Sequence, residues 1–282
     1  MDMARSRSCF GVYGITAVIL AAATTFARAD GREQCLAQLV PAVDIGHHLS
    51  SPGTLDVFGR AELFYNADLA NQLVLSLSEL GFRRIVLINR SLNERSLESR
   101  PRQALCEGAG VFMSIHHDNV DESKKAYSTI DGKRIGFNDE IGGYTIYFSS
   151  KNVMAELSKE LALAISDEFN KIGIPSANKY QAFIADRNRK LVNPELNIWD
   201  YEGLVVLKYS TIPSILIEAG FLSNRHDIDR LKDAAFRKRL SDAIARATLT
   251  ACISDGRLTD IASRVAREQI RQCDRSHQPH FQ

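Results

Sequence analysis

Val111-Phe112-Met113-Ser114-Ile115-His116-His117-Asp118-Asn119 is a short, mostly apolar run that ends abruptly in two imidazoles, a carboxylate and an amide. A continuous apolar run of this length suits a strand buried on both faces, and its polar end marks the edge where such a strand leaves the core. Comparable runs occur at Leu39 to Val43, Ile85 to Ile88, Tyr144 to Phe148 and Ser214 to Ile217. Helical patterns lie between several of them. Leu69, Leu73, Leu77 and Leu80 recur at helical spacing, and Gly81 then supplies the left-handed stop that closes a helix. Leu157, Leu161, Ile165, Phe169 and Ile172 repeat the pattern up to Gly173, and Leu231, Phe236, Leu240 and Ile244 predict a third long helix. Strands alternating with amphipathic helices give an α/β class: a single domain with a mainly parallel (mixed) twisted sheet and helices on both faces.

The chain has 282 residues, 45% of them hydrophobic and only seven of them proline, which is enough for one sizeable core and argues against disorder. Arg5 and Arg7, the apolar stretch from Cys9 to Phe26 and Ala27-Arg28-Ala29 read as a secretory signal peptide cut after Ala29. Gly11, Tyr13, Gly14 and Thr24-Thr25 dilute that stretch below what a membrane span requires. The expected organisation is a leader over 1–29, a catalytic domain over 30–254 and a C-terminal helix and tail over 255–282, with the tail frayed. The mature protein is then periplasmic or secreted, with no stable membrane span. Losing Arg5, Arg7, Arg28 and Asp2 leaves the charge balance within one unit of neutral, so there is no electrostatic case for nucleic acid. Arg187, Arg189 and Lys190 read as a solvated face.

Cys35, Cys106, Cys252 and Cys273 then sit where disulfides form, and they are too dispersed for a structural zinc cluster. Three pairings are open; Cys35 with Cys252 is the expected one, because each flanks a terminal element of the core. Val120 to Gly142 is polar and lacks an apolar period, so it reads as a mobile loop near the mouth of any site, with an inert surface insertion as the alternative.

Ligands of open α/β sheets lie beyond the carboxyl ends of the strands, so the polar residues after each apolar run carry the chemistry. The first run ends as Val43-Asp44-Ile45-Gly46-His47-His48 and the third as Ser114-Ile115-His116-His117, which brings two histidines to one edge. Imidazole is a favoured zinc ligand, and a catalytic zinc takes three protein ligands and leaves a position for water. Glu62 is the candidate third ligand, at the start of the first long helix directly after the Ser50 to Arg60 loop, although a first-turn Glu also suits the helix dipole alone. The fifth run ends in Glu218, a charge at the edge of the core that is costly unless paired or used. A carboxylate beside a metal-activated water would relay its proton.

Taken in order, Asp44-Ile45-Gly46-His47, Glu62, Ser114-Ile115-His116 and Glu218-Ala219-Gly220-Phe221-Leu222-Ser223-Asn224 resemble the pattern of the zinc-dependent N-acetylmuramoyl-L-alanine amidases of the type 3 cell-wall family, over about Val40 to Ala247. The resemblance implies one Zn2+ per chain on His47, Glu62 and His116, with Glu218 as the catalytic carboxylate. It also implies peptidoglycan as the partner, cut at the amide between N-acetylmuramic acid and the L-alanine of the stem peptide. An exported zinc peptidase or other amide hydrolase, and a non-catalytic wall-binding homologue, stand as alternatives.

The chain departs from the pattern at Ile45, where proline is usual, at His48, where glycine is usual, and at His117-Asp118. Consecutive histidines leave the register open; His47 and His116 match the family spacing, which leaves His48 and His117 for supporting or substrate contacts. Asn66, one helical turn after Glu62, is a candidate to orient it, Arg100 resembles a family position before the third strand, and Asp44 is a candidate to hold a ligand imidazole, each with the alternative of a cap or surface contact. The short link from Phe148 to the Leu157 helix has no room for the blocking helix of some relatives, so the 120–142 segment is the candidate for a smaller lid. No protein activator is identifiable.

Overall fold

The opening run forms an interior strand of a seven-stranded sheet. In a computed structural model of the chain the described residues are 30–130, 132–181, 188–261 and 273, so the expected leader and most of the expected tail lie outside them. Residues 30–38 form helix α1. There follow β1 (Pro41–Ile45), α2 (Glu62–Leu80), β2 (Val86–Ile88), α3 (Ser99–Cys106), β3 (Val111–Asp118), β4 (Ala126–Ile130), β5 (Lys133–Phe137), β6 (Thr145–Phe148) and α4 (Ala155–Lys171). Then come β7 (Arg189–Asn193), β8 (Ile198–Tyr201), α5 (Val205–Lys208), β9 (Ser214–Phe221), α6 (Arg225–Lys232) and α7 (Ala234–Asp255).

The sheet order is β2-β1-β3-β9-β6-β8-β7. The first four strands are mutually parallel, β6 runs antiparallel to β9, β8 parallel to β6, and β7 antiparallel to β8. The sheet is therefore mixed and mostly parallel, as its apolar runs imply.

Side-chain alternation sorts each strand between two cores. Val111, Met113, Ile115, Ile215 and Ile217 join the larger cluster under α2, α4 and α7, whereas Phe112 and Leu216 join the smaller one with Val206 and Leu207 of α5. Beyond Ile115 the same alternation sends His117 toward α2 and leaves His116 on the other face, beside its register partner Glu218.

Gly81 ends α2 with φ 109°, as its position predicts. Two expectations need correction, and two strands were not foreseen. The third long helix is two helices, because Asp233 accepts a hydrogen bond from the Ala235 amide and caps α7 after α6 has ended. The 120–142 segment is not a plain loop but carries the antiparallel β4–β5 hairpin, paired from Ala126 with Phe137 to Ile130 with Lys133. Strands β7 and β8 escape a hydropathy reading because Arg189-Lys190 and Asn193 break the apolar pattern of an edge strand.

Cys35 is bonded to Cys252, joining α1 to α7, and Cys106 to Cys273. No helix among the described residues is long and apolar enough to cross a membrane. The Cys35–Cys252 bond closes 217 residues. Replacing both cysteines by alanine is expected to lower unfolding free energy by about 2–5 kcal/mol in a urea titration; an unchanged midpoint would show that the link contributes nothing.

Candidate metal centre

Where β1 ends, the chain turns at Gly46 and His47, and His47 adopts φ 67°, a left-handed conformation that a non-glycine residue holds only when its surroundings enforce it. The enforcement is visible. Asn89 Nδ2 donates to the carbonyls of Ile45 and His47, both at 2.7 Å. Arg100 donates to the same two carbonyls at 2.9 and 2.5 Å and to the Glu94 carbonyl at 2.7 Å. Arg100 is 1% exposed, and its charge faces Asp44 at 3.4 Å, which also accepts from Ser114 Oγ at 2.7 Å. Asp44 thus balances a buried cation and does not hold an imidazole. Gly46 is required for a separate reason: a Cβ there would collide with the His116 ring.

Glu62 opens α2, yet no side chain caps that helix. The Glu62 and Leu63 amides donate to the carbonyls of Thr54 and Pro52 at 2.8 and 3.0 Å, so the preceding loop satisfies the helix end and the Glu62 carboxylate is available for other partners. Its Oε2 is 2.9 Å from His47 Nε2 and its Oε1 is 3.1 Å from His116 Nδ1. It also accepts from the Thr54 and His117 amides, both at 3.3 Å, and from Asn66 Nδ2 at 3.2 Å. Gly53, at φ +79°, lets the loop pass; a Cβ there would collide with Glu62 Oε2. Burial pushes the Glu62 carboxyl up, but the hydrogen bonds and charges of His116 and His47 outweigh it and hold the group well below the usual carboxylate range.

His47, Glu62 and His116 bring one ligand atom each within 4.8 Å of one another. Two imidazoles and an ionised carboxylate on a partly open edge fit a small divalent cation. The neighbouring histidines do different work. His117 is buried beside Tyr65 and donates from Nδ1 to Asn66 Oδ1 at 2.7 Å; burial lowers its pKa to about 3, so it is neutral. This fixes the Asn66 amide with its NH2 toward Glu62 and the Gly46 carbonyl, the latter at 3.2 Å. His48 pairs with Ser51 through the backbone and is not in the cluster.

Glu218 stands opposite His116 in register, and its Oε2 is buried without a hydrogen-bond partner. Burial, then the negative charges of Asp118 and Glu62, push its pKa well above the usual carboxylate range, while Arg189 opposes them. Asp118 shares its face; burial pushes it up to about 7 against the hydrogen bond it receives from the Asn119 amide. Sequence reasoning missed Asp118, although its place two residues after His116 puts it on the same side of β3. It also missed Asn89, which no local pattern marks. Arg189 belongs to this electrostatic group and stacks on Tyr201 at 4.4 Å, so its solvated-face reading is wrong; Arg187 lies outside the described residues.

A family model described as N-acetylmuramoyl-L-alanine amidase matches residues 42–249. A putative N-acetylmuramoyl-L-alanine amidase of Buchnera aphidicola subsp. Acyrthosiphon pisum is 25% identical over 216 residues, covering 72% of this chain and 90% of that protein. N-acetylmuramoyl-L-alanine amidase LytC of Bacillus subtilis is 25% identical over 209 residues, 74% of this chain but 34% of its own length. Among solved structures, the amidase Ami1 of Mycobacterium smegmatis superposes with a TM-score of 0.61 at 20% identity, covering 78% of this chain and 99% of that one. An amidase of Clostridium difficile 630 gives 0.60 at 21%, covering 77% and 98%; at these identities the likeness is one of fold. With the family model spanning the sheet and all three clustered residues, the chain belongs to the N-acetylmuramoyl-L-alanine amidase family.

Proposed function

We propose that this chain is a zinc-dependent peptidoglycan hydrolase that cuts the amide between the lactyl group of N-acetylmuramic acid and the L-alanine of the stem peptide, with one zinc ion on His47, Glu62 and His116. The observation that carries this reading is the convergence of those three side chains at one sheet edge, with Glu218 opposite His116. Two histidines and one glutamate make a donor set suited to catalytic zinc. Bound there, the metal would supply Lewis acidity, polarising the scissile carbonyl and acidifying water.

The protein's own part is proton movement and positioning. Ionised once the positive charge of a bound metal offsets its raised pKa, Glu218, whose Oε2 has no hydrogen-bond partner, would take the proton of the attacking water as oxygen bonds to the carbonyl carbon. It then delivers that proton to the L-alanine nitrogen as the C–N bond breaks. Arg100 and Asn89 hold the His47 turn, while Asn66, itself oriented by His117, holds Glu62. We further infer that residues 1–29 export the chain to the cell envelope and that 30–254 form the catalytic domain.

Glu218→Gln is expected to keep zinc and lose about a thousandfold in kcat on muropeptide, whereas His116→Ala loses both metal and activity. Normal turnover by the Glu218→Gln protein would remove Glu218 from its role. Asn66→Leu and His117→Leu are expected to weaken zinc binding by roughly 10–100-fold in a chelator competition, without the direct loss of a ligand. Purified peptidoglycan digested with and without chelator tests the whole reading. Chelator-sensitive release of stem peptides with an L-alanine amino terminus supports it, and cleavage within the peptide stem would make the chain a peptidase.

A further inference from the structure

A cleft of ≈ 610 Å³ lies between the loop that precedes α2 and the β4–β5 hairpin. Leu55 and Phe58 form part of one wall; Lys125, Tyr127, Arg134 and Gly136 form part of the other. Both walls are continuous in sequence with residues that lie beside the metal centre. Thr54, next to Leu55, donates its amide to Glu62 Oε2, and its hydroxyl accepts from Asn119 Nδ2 on the segment that leads into the hairpin. Leu55, in the cleft wall, is therefore one residue from a contact to a candidate metal ligand.

The charges along it are unequally committed. Asp56 is turned inward, accepting from the amides of Phe58 and Arg60 at 2.8 Å and from Tyr65 OH at 2.7 Å. Glu122 is engaged by Lys125 Nζ and Tyr127 OH, each at 2.6 Å. The Arg134 guanidinium lies over the Tyr127 ring at 3.8 Å; its charge is felt by Glu122, but among the described residues no carboxylate forms a close ion pair with it. Leu55 and Phe58 are each 56% exposed. Gly136 lets the hairpin take this form, since a Cβ there would meet Tyr127 Cε1 at 2.9 Å and Lys125 Cδ at 3.1 Å. A stacked guanidinium is pre-organised to meet a carboxylate, and exposed apolar groups opposite it suit short aliphatic side chains. A volume of this size accommodates a short peptide.

We propose that this cleft is the subsite for the carboxylate-bearing part of the peptide stem, with Arg134 binding a carboxylate and Phe58 and Leu55 packing against the peptide's alkyl groups. The assignment rests on the amidase reading for the identity of the peptide, and it makes the hairpin a specificity element. Arg134 is exposed and is not one of the clustered metal-ligand candidates, so its replacement is expected to act first on peptide binding.

The test is calorimetric titration of the zinc-loaded protein with a synthetic stem peptide that begins with L-alanine and carries free carboxylates, and with its amidated form. Because this peptide is the product of the proposed cleavage, its binding is measured without turnover. Amidation is expected to weaken binding about tenfold, and Arg134→Glu is expected to weaken the acidic peptide at least as much while removing the preference for it. Arg134→Glu should likewise raise KM on muropeptide by a larger factor than it lowers kcat. Equal binding of the two peptides, no binding of either, or Arg134→Glu within twofold of wild type would overturn the subsite. Peptide binding that depends on Arg134, in a protein that releases no stem peptide from peptidoglycan, would instead overturn the amidase reading and leave the subsite standing.

Discussion

A buried guanidinium holds the edge of the sheet on which everything else is assembled. An unpaired cation in a protein interior is expensive, and Arg100 is tolerated because Asp44 and three carbonyls surround it. Two of those carbonyls, of Ile45 and His47, belong to the chain just as β1 turns out of the sheet, where backbone acceptors would otherwise be stranded. The left-handed turn at His47 is thus the local conformation that gives Arg100 its acceptors and directs an imidazole toward Glu62. Removing one partner of such a buried pair typically costs about 3–5 kcal/mol, so the site's geometry and the fold's stability are coupled at this point.

Glu62 is the second half of that arrangement. Because the loop carbonyls of Pro52 and Thr54 satisfy the start of α2, the first-turn carboxylate is not consumed as a cap and can face both imidazoles. Its own hydrogen-bond donors come from three separate places: the Thr54 amide, Asn66 and the His117 amide. Glycines at 46 and 53 are the clearance that this crowding demands. The centre is held by backbone geometry as much as by side chains.

The class of sheet, the strand edges and the residues that meet there were legible because each depends on short-range signals. Apolar runs name the buried strands, and the first polar residue after each names the edge. The residues alone left the choice between His116 and His117 open, and family spacing made it; in the structure Met113 and Ile115 both face the larger core under α2, and His117 lies on that side. What stayed hidden depends on pairing across long separations. The β4–β5 hairpin is defined by pairing between two short strands that carry no continuous apolar run, β7 begins with two cations, and Asn89 acts on a turn more than forty residues away. Asp44 illustrates the limit well: its position at the strand end is readable, but its partner, 56 residues on, is not.

The bond between Cys35 and Cys252 ties α1 to α7, so nearly every described element lies within one covalent ring. A single backbone break inside that ring opens the circle without dividing the molecule. The exposed hairpin is the natural place for such a break. The two fragments would stay at high effective concentration, held in register by the sheet between them. Cutting the hairpin would therefore alter the cleft's wall without releasing the metal centre, since His47, Glu62 and His116 all precede it in the chain while Glu218 follows it.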